Sequence, residues 1–295
     1  MSDDITPLPV GTKVNHYRIV RVLGGGGFSI VYLAEDLLSQ QEVVVKEYFP
    51  AKLAIRDKNL CVREKADDDK GLFKLGRKLF FQEASILAAI KHPNTVKVVD
   101  FCQANGTVYT TMLYEKGLSL QAYLKRRKQR PSQTTVLQIF LPLLDALKAM
   151  HSQGLLHLDI KPGNIFLRQD NGPLLLDFGA VHKLLRSAPP RMFPVVTHGF
   201  SPPEQSIKNS TLGPWTDLYA LGATIYTCLG GKPPIAAKAR RKGEVLPPAR
   251  EAFADYYDAL LLEVVDWCLE LLPKERPQTT QEVTDLLSQL STSSS

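Results

Sequence analysis

The sequence predicts an α+β fold that combines a small antiparallel β-rich part, carrying one main helix, with a larger and mainly helical part. Within Tyr17–Tyr48, short β-branched runs separated by turn residues predict strands. The apolar spacing becomes helical at Leu72–Ile90, and beyond about residue 118 it is mainly helical. These two changes place the small part first along the chain.

The small part begins with three strands that the sequence arranges as an antiparallel meander. Its runs "YRIVRVL", "FSIVYLA" and "EVVVKEYF" are separated by a glycine stretch and by "EDLLSQQ". The helix at 72–90 is expected to pack on this sheet, and Asp67–Asp69 ahead of it favour a helix N-terminus. The segment "LAIRDKNLCVREKADDDKGLFKLG" between them predicts a small strand pair and an early helical turn.

The large part has its broadest apolar helical stripe at Val136–His151. After it, "NIFLR" and "PLLLDF" predict two short strands, with a hairpin turn signal at Asn171 and Gly172. We place the small part at about 12–113, the connection at about 113–117, the large part at about 118–290 and a disordered tail at 291–295.

Composition and charge narrow the class of protein. The 295 residues are 44% hydrophobic and 22% charged, which is typical of a globular chain. A net charge of +6 favours anionic partners such as nucleotides without requiring nucleic acid. The four cysteines are too far apart for a zinc or redox motif, and no run reaches the roughly 18 apolar residues of a membrane span. We therefore expect a soluble, cytoplasmic protein.

Four consecutive glycines, Gly24–Gly27, separate the first two strands. Such a run lets the backbone approach a ligand closely and leaves N–H groups available for phosphate oxygens. A dinucleotide fold or a Walker loop would need a helix directly after the glycines, whereas "SIVYLA" continues as a strand. A merely flexible hairpin is the alternative if the loop stands alone.

Lys46 and Glu83 are candidates for a buried ion pair next to this loop. Lys46 ends the apolar run "EVVVK", where its ammonium could reach phosphates. Glu83 falls on the apolar face of its helix, between Leu79 and Leu87, where an unpaired carboxylate would be costly. The alternatives are a solvated lysine and a glutamate at the wet edge of the stripe.

The segment "HLDIKPGNIFLRQDNGPLLLDFGA" contains the densest group of reactive side chains. The predicted hairpin brings Asn164, at its start, near Asp177, at its end, and two such oxygen ligands suit Mg²⁺. Asp159 is placed to accept or orient a hydroxyl proton, and Lys161 to neutralise a transferred phosphoryl group. His157 is interpreted as structural.

Together these motifs resemble those of bacterial, eukaryotic-like serine/threonine protein kinases. The resemblance rests on "GGGGFSIV", Lys46, Glu83, "HLDIKPGN" and the "DFG" that begins at Asp177. It extends through "THGFSPPEQ", "WTDLYALG" and "KERP", and it covers about residues 14–290. It implies a bilobal protein-kinase-like fold in which residues 1–290 form one kinase domain.

The resemblance also implies an activity and a set of site residues. ATP would be the phosphate donor, with Mg²⁺ or Mn²⁺, and protein serine or threonine hydroxyls the acceptors, because a lysine stands two residues after Asp159. Asp217 would anchor the catalytic loop, and Arg276 would pair with Glu204. The catalytic residues would be Asp159, Lys161, Lys46 and Glu83; the metal ligands Asn164 and Asp177; and the nucleotide-binding residues Leu23, Gly24, Gly25, Gly26, Gly27, Phe28, Ser29, Val31, Val44, Lys46, Met112 and Tyr114.

Two departures from the family pattern concern the glycine loop and the catalytic loop. Ser29 stands where a third glycine is usual, and Leu158 replaces the arginine that grips an activation-segment phosphate. The latter predicts activity without such a phosphate. The alternatives are a pseudokinase scaffold and a small-molecule phosphotransferase, which shares the H-x-D loop. The resemblance also allows a dimer, or autophosphorylation in trans.

Overall fold

The computed structural model describes residues 6–169, 172–176, 196–207 and 209–292. The chain forms two compact units. The first takes in Met1–Lys91 and Val96–Glu115, and the second takes in His92–Thr95 and Lys116–Ser295. Each unit has its own sheet and its own helices, and the predicted α+β class is confirmed.

The first unit is built on a six-stranded antiparallel sheet with the order β1-β2-β3-β4-β8-β7. Its first long strands, β2, β3 and β4, are the predicted meander, and each pairs antiparallel with the next. A separate pair, β5 and β6, confirms the small strand pair predicted between the sheet and the helix. The strands are β1 (Lys13–Val14), β2 (Tyr17–Gly25), β3 (Ser29–Asp36), β4 (Glu42–Tyr48), β5 (Ala54–Arg56), β6 (Val62–Glu64), β7 (Val98–Ala104) and β8 (Thr107–Leu113).

One long helix, α1 (Lys70–Ala89), packs beside β7 and β8. A short 3-10 turn at Asp67–Asp69 precedes it, as the acidic run predicted. The helix buries Phe73, Leu79 and Leu87 because its apolar residues recur at helical spacing along one face. It ends at Ala89, and the backbone of the next residue, Ile90, is extended.

The second unit combines helices with a three-stranded sheet of order β11-β10-β9. The predicted hairpin is confirmed, because β10 and β11 pair antiparallel from Ile165 opposite Leu175. Its predicted turn residue Asn171 lies outside the described residues. In the described part of this unit the elements are β9 (Gly117–Ser119), α2 (Leu120–Arg126), α3 (Gln133–His151), β10 (Ile165–Arg168), β11 (Gly172–Leu175), α4 (Pro203–Ser206), α5 (Pro214–Gly230), α6 (Ala237–Arg240), α7 (Ala249–Ala252), α8 (Ala259–Cys268) and α9 (Thr280–Thr292).

Helix α3 contains the predicted apolar stripe and forms part of the core of the second unit. The Ser132 side chain caps it by accepting a hydrogen bond from the Thr135 N–H. Leu143, Leu144 and Leu147 are completely buried along its length. The last helix, α9, continues past residue 290, where the sequence predicted a tail, and residues 293–295 lie outside the described range. No helix among the described residues is long and apolar enough to cross a bilayer.

Candidate active site

The glycine run ends β2 with Gly24 and Gly25 and begins the turn to β3 with Gly26 and Gly27. The Gly26 N–H donates to the Ser29 carbonyl at 2.9 Å, which closes the turn. The other side of the turn is fixed by the Phe49 N–H, which donates to the Phe28 carbonyl, and by the Ala51 N–H, which donates to the Gly27 carbonyl. These backbone hydrogen bonds hold the tip of the turn.

The fold does not need most of these glycines for packing. A Cβ atom added at Gly24, Gly26 or Gly27 would meet no atom within 4 Å, and only at Gly25 would it lie near the Ser29 carbonyl, at 3.3 Å. None of the four has the left-handed backbone that favours glycine. The bare backbone therefore faces open space, where a phosphate could approach N–H groups closely.

The strand register brings four predicted nucleotide residues onto one face of the sheet. Val31 lies directly opposite Lys46, and Val44 lies directly opposite Met112. Because Val44 and Lys46 are two residues apart on β4, both pairs share a face. All four side chains are partly exposed, which makes this face an apolar platform with one ammonium group at its edge.

The predicted ion pair between Lys46 and Glu83 is present. Lys46 Nζ lies 3.6 Å from Glu83 Oε1, and the side chains are only 14% and 12% exposed. Lys46 Nζ also lies 5.6 Å from the centroid of the Phe80 ring. The pairing excludes the alternatives of a solvated lysine and a wet glutamate, because each charge is largely buried beside its partner.

Glu47, the neighbour of Lys46, points to the opposite face of the sheet and is completely buried. Its carboxylate accepts two hydrogen bonds from Arg56, at 3.0 and 2.6 Å, and one each from the Tyr32 and Tyr109 hydroxyls, at 2.7 and 2.8 Å. Burial, together with the charge of Glu47, raises the pKa of both phenols well above the usual range, so both remain donors. The buried Glu47–Arg56 ion pair therefore fixes β4, the strand that also carries Lys46.

In the second unit, the Asp159 carboxylate is held by three side chains. Lys161 Nζ donates to both of its oxygens, at 2.9 and 2.7 Å. Asn164 Nδ2 donates to Oδ2 at 2.8 Å, and Thr197 Oγ1 donates to Oδ1 at 2.8 Å. The carboxylate is nevertheless 23% exposed, so its orientation is fixed while it remains accessible.

Asn164 has one atom that suits a metal ion. Its amide nitrogen is committed to Asp159, since it donates to the carbonyl and to the carboxylate of that residue. No hydrogen-bond donor to its amide oxygen is present in the described part of the chain, and a neutral oxygen of this kind is a Mg²⁺ ligand type. Asp177, the second predicted ligand, lies outside the described residues.

The backbone of the catalytic loop is anchored by a buried carboxylate on α5. Asp217 accepts hydrogen bonds from the N–H groups of His157, at 2.9 Å, and Leu158, at 2.7 Å, as the sequence implied. It also lies 2.8 Å from His151 Nε2. His157 is completely buried; its Nδ1 accepts from the Asp159 N–H, which leaves Nε2 to donate to the Leu176 carbonyl. Its predicted structural role is confirmed.

Helix α4 at Pro203–Ser206 is held by the ion pair that the family resemblance implied. Arg276 donates from its two terminal nitrogens to the Glu204 carboxylate, at 2.6 and 3.1 Å, and its side chain is completely buried. The remaining donors of Arg276 reach the carbonyls of Trp215, Glu270 and Leu271. A bidentate, fully hydrogen-bonded pair of this kind is rigid.

Two positioning residues escaped the sequence analysis. Gln205 Nε2 donates to the Leu158 carbonyl at 2.6 Å, and Thr216 Oγ1 donates to Glu204 Oε1 at 3.2 Å. Both side chains are buried. The only sequence signal was their position beside the residues already singled out, because a polar side chain next to a motif does not reveal its partner.

A glycine turn above a β-sheet, a strand lysine paired with a helix glutamate, and an aspartate held by lysine and asparagine define the class of protein kinase folds. The family model described as "Protein kinase domain" matches residues 17–288. The chain therefore belongs to the protein kinase family, and the predicted class of protein is confirmed.

The relatives are serine/threonine-protein kinases by name. Serine/threonine-protein kinase D of a Synechocystis species is 31% identical over 94% of this chain and 52% of its own length. Serine/threonine-protein kinase PknA of a Nostoc species is 30% identical over 92% of this chain and 47% of its own length. The chain thus spans about half the length of these curated relatives.

Solved kinase structures share the fold. The structure described as "PpkA-294 apo form" is 34% identical with a TM-score of 0.88, and the match covers 95% of this chain and 99% of that one. The Mycobacterium tuberculosis PknI kinase domain, as a double mutant, is 25% identical with a TM-score of 0.73, over 96% of this chain and 99% of that one. The predicted kinase fold is confirmed.

Proposed function

We propose that this protein transfers the γ-phosphate of ATP to serine or threonine hydroxyls of proteins, with Mg²⁺ or Mn²⁺ as the metal. The observation that carries the proposal is the Asp159 carboxylate, which three side chains orient while it stays partly exposed. A carboxylate of this kind can accept a hydrogen bond from an incoming hydroxyl. The serine/threonine class is supported by the names of the relatives.

The residues of the second unit have distinct roles in the proposed transfer. Asp159 orients the acceptor hydroxyl and takes its proton. At the same time the new bond from the hydroxyl oxygen to the γ-phosphorus forms, and the bond from that phosphorus to the leaving ADP breaks. Lys161, which donates to both oxygens of Asp159, carries the positive charge that offsets the transferred phosphoryl group. Thr197 keeps the carboxylate in this orientation.

The first unit would hold the nucleotide. The open backbone of Gly24–Gly27, with Phe28 and Ser29, would lie close to the phosphates and donate those N–H groups that the turn and the strand ladder do not use. Lys46 would pair with the phosphates while Glu83 fixes its ammonium. The platform of Val31, Val44 and Met112 would contact the apolar face of the base. Leu23 and Tyr114 complete the proposed nucleotide-binding set.

Asn164 and Asp177 would hold the metal ion. The fit is supported by the chemistry of Asn164, whose amide oxygen is left for a cation because its nitrogen donates to Asp159. When bound, the ion would neutralise charge on the phosphate oxygens. The chain's own part is to present these oxygens and to keep the asparagine in place.

Neither alternative function has a specific observation in its favour. A pseudokinase scaffold would lack a catalytic group, yet Lys46, Glu83, Asp159 and Asn164 all occur, and the first two are paired. A small-molecule phosphotransferase would not need the buried Glu204–Arg276 pair, which by the family resemblance helps to build a platform for a protein substrate. A cytoplasmic location is proposed on the four cysteines, all of which are free thiols.

The test measures phosphate transfer from labelled ATP to a generic acceptor protein with Mg²⁺, followed by phosphoamino-acid analysis. We expect phosphoserine or phosphothreonine. Asp159→Asn keeps the shape of the side chain but removes its basicity, so the rate should fall at least ~10²-fold. Nucleotide binding, measured by thermal shift with ADP, should persist in this variant.

The matched control is Asp255→Asn, the same change at an exposed carboxylate of the second unit. It should leave the rate unchanged. Undiminished activity in Asp159→Asn would contradict the assignment. ATP binding without transfer by the unaltered protein would favour the scaffold, and transfer to small alcohols but not to proteins would favour the small-molecule enzyme.

A further inference from the structure

The connection between α2 and α3 carries a basic run on the surface of the second unit. Residues 125–130 read "KRRKQR", and all six side chains are exposed. In the part of the chain that the structure describes, none of the five cations pairs with a carboxylate. A concentrated positive charge without a counter-charge favours an anionic partner.

Two arginines of this run lie over aromatic rings. Arg127 Cζ is 5.0 Å from the centroid of the Tyr123 ring, and its Nη1 donates to the hydroxyl of the same tyrosine. Arg130 Cζ is 4.1 Å from the centroid of the Tyr256 ring and 5.4 Å from that of Phe253. A guanidinium that lies over a ring is held in place, while the N–H groups at its edge can still reach an anion.

The segment that carries Tyr256 is tied to the same connection. The hydroxyl of the next residue, Tyr257, donates to the Pro131 carbonyl at 2.8 Å, whereas Tyr256 itself is 61% exposed. Burial raises the pKa of Tyr257, and the positive charges of Arg127 and Arg130 both oppose this rise, so both guanidiniums are near one phenol. We name this region the arginine–tyrosine surface; its residues are Tyr123, Arg127, Arg130 and Tyr256.

The donors of this surface match a phosphate group. Arg130 makes no hydrogen bond with the residues that the structure describes, and Arg127 uses one of its donors for Tyr123. A phosphorylated side chain carries about 1.5 to 2 negative charges at neutral pH and three acceptor oxygens. Two neighbouring guanidiniums can neutralise that charge and pair with its oxygens in a bidentate manner.

We propose that the arginine–tyrosine surface binds a phosphorylated serine or threonine of a partner protein. This goes beyond phosphate transfer, because the phosphate is already on the protein that binds. Nucleic acid fits less well, because a guanidinium already lies over each tyrosine ring on which a base would stack. A membrane fits less well, because the exposed side chains of residues 121–130 are all polar and none would enter the apolar layer.

The experiment measures binding without nucleotide and therefore without turnover, so it does not depend on the proposed reaction. A fluorescent peptide of about ten residues, with one phosphoserine and no other charged side chain, is titrated with the protein and followed by anisotropy. We expect saturable binding. The same peptide with unmodified serine, or with aspartate in its place, should bind at least ~10-fold more weakly, because the bidentate phosphate contacts are lost.

Protein variants locate the site. Arg127→Gln combined with Arg130→Gln should weaken binding at least ~10-fold. Arg127→Lys combined with Arg130→Lys keeps both charges but loses the planar donors, and it should weaken binding at least ~3-fold. The matched control is Arg241→Gln combined with Arg250→Gln, the same change at two exposed arginines of the same unit, and its affinity should be unchanged. Circular dichroism and thermal melting verify that each variant is folded.

Several outcomes would overturn the proposal. They are absence of saturation up to about 1 mM protein, equal binding of the phosphorylated and unmodified peptides, and equal losses in the two glutamine double variants. Full affinity in the lysine double variant would show that charge alone binds the peptide. Competition by inorganic phosphate as strong as that by the phosphopeptide would assign the surface to the free anion. Tighter binding of single-stranded RNA or of phosphatidylserine vesicles, lost in the same variants, would assign it to nucleic acid or to a membrane.

Discussion

Lys46 and Glu83 each compensate the charge of the other, because their Nζ and Oε1 atoms lie 3.6 Å apart and both side chains are largely buried. Lys46→Met leaves Glu83 uncompensated, and Glu83→Gln leaves the ammonium without its partner. We expect each change to lower kcat at least ~10-fold in a phosphate-transfer assay, and the double variant to be little worse than the poorer single one.

The control is a pair of residues that belong to different units. The double variant Lys46→Met, Asp159→Asn should lose clearly more activity than either of its single variants. The Lys46→Met, Glu83→Gln double variant should not. If the loss in the Lys46→Met, Glu83→Gln double variant equals the product of the single losses, the two residues act independently and the assignment of the pair is wrong.

Leu158 shows at the residue scale what a sequence conceals. Its backbone is left-handed, with φ at 64°, which costs a non-glycine residue about 1–2 kcal/mol. Asp217 holds its N–H, Gln205 holds its carbonyl, and the side chain is buried. The sequence revealed that an arginine was absent here, but not that the backbone needs two buried side chains to keep this shape.

At the scale of elements, the strand pair β5–β6 is tied to the sheet by the Arg56 side chain and by the Val62 N–H, which donates to the Asn105 carbonyl at 2.7 Å. Arg56 donates to Glu47 on β4 and to the carbonyls of Thr6 and Leu60, and its guanidinium lies 5.1 Å from the Phe49 ring centroid. Because Glu47 is fully buried, Arg56→Met should lower the free energy of unfolding by about 3–5 kcal/mol. Urea denaturation measures this change.

Two comparisons make the result specific to burial. Arg63→Met removes an exposed arginine that pairs with Asp57 at 2.5 Å, and it should leave the unfolding free energy unchanged. Glu47→Gln combined with Arg56→Met removes both charges and should cost less than Arg56→Met alone. An Arg56→Met variant as stable as the unaltered protein would contradict the role of the pair.

The elements were predictable where one face of each is buried. The meander of β2, β3 and β4 and the helix α1 followed from periods of two and 3.6, which report burial directly. The Glu47–Arg56 pair did not follow, although Glu47 shares the buried face of Val43 and Val45. Periodicity shows that a side chain is buried, but the partner comes from a segment whose path the pattern does not fix.

For the whole molecule, Leu158 predicts activity without a phosphate on the segment that precedes Pro203. An aliphatic side chain cannot make the bidentate pair that an arginine makes with such a phosphate. Enzyme treated with phosphatase, and verified by mass spectrometry, should keep its initial rate within ~10-fold of untreated enzyme, as should Ser187→Ala. A larger loss on dephosphorylation would mean that another basic group grips the phosphate. Ser187 itself lies outside the described residues.

The two other hydroxyls of this segment call for a different interpretation. Thr197 Oγ1 donates to Asp159, and Ser201 Oγ accepts a hydrogen bond from the Thr197 N–H. We therefore expect Thr197→Ala to lower the rate because Asp159 loses an orienting donor. Thr197→Ser, which keeps the hydroxyl, should restore most of the rate. If Thr197 acted only as a phosphorylation site, Thr197→Ala and the unaltered protein would show the same rate after phosphatase treatment.

The candidate site was predictable from the sequence as far as motif spacing determines it. Asp159 and Asn164, five residues apart on one loop, are joined by a hydrogen bond, and Lys46 meets Glu83. Asp177 lies outside the described residues, so its place beside Asn164 stays a prediction. Gln205 and Thr216 could not be foreseen, because their partners lie far away in the sequence and no charge or period identifies them.

The Glu204–Arg276 pair affects the order in which the two units can fold while the protein is being synthesised. A chain emerges from the ribosome N-terminus first, so Glu204 is made long before the arginine that neutralises it. Until residue 276 is available, burying the Glu204 carboxylate would cost too much free energy, so helix α4 at Pro203–Ser206 is not yet held in place. The first unit can fold early, while the second must wait for Arg276, which lies just before its last described helix, α9. A chaperone that shields exposed apolar segments would therefore find its target in the second unit.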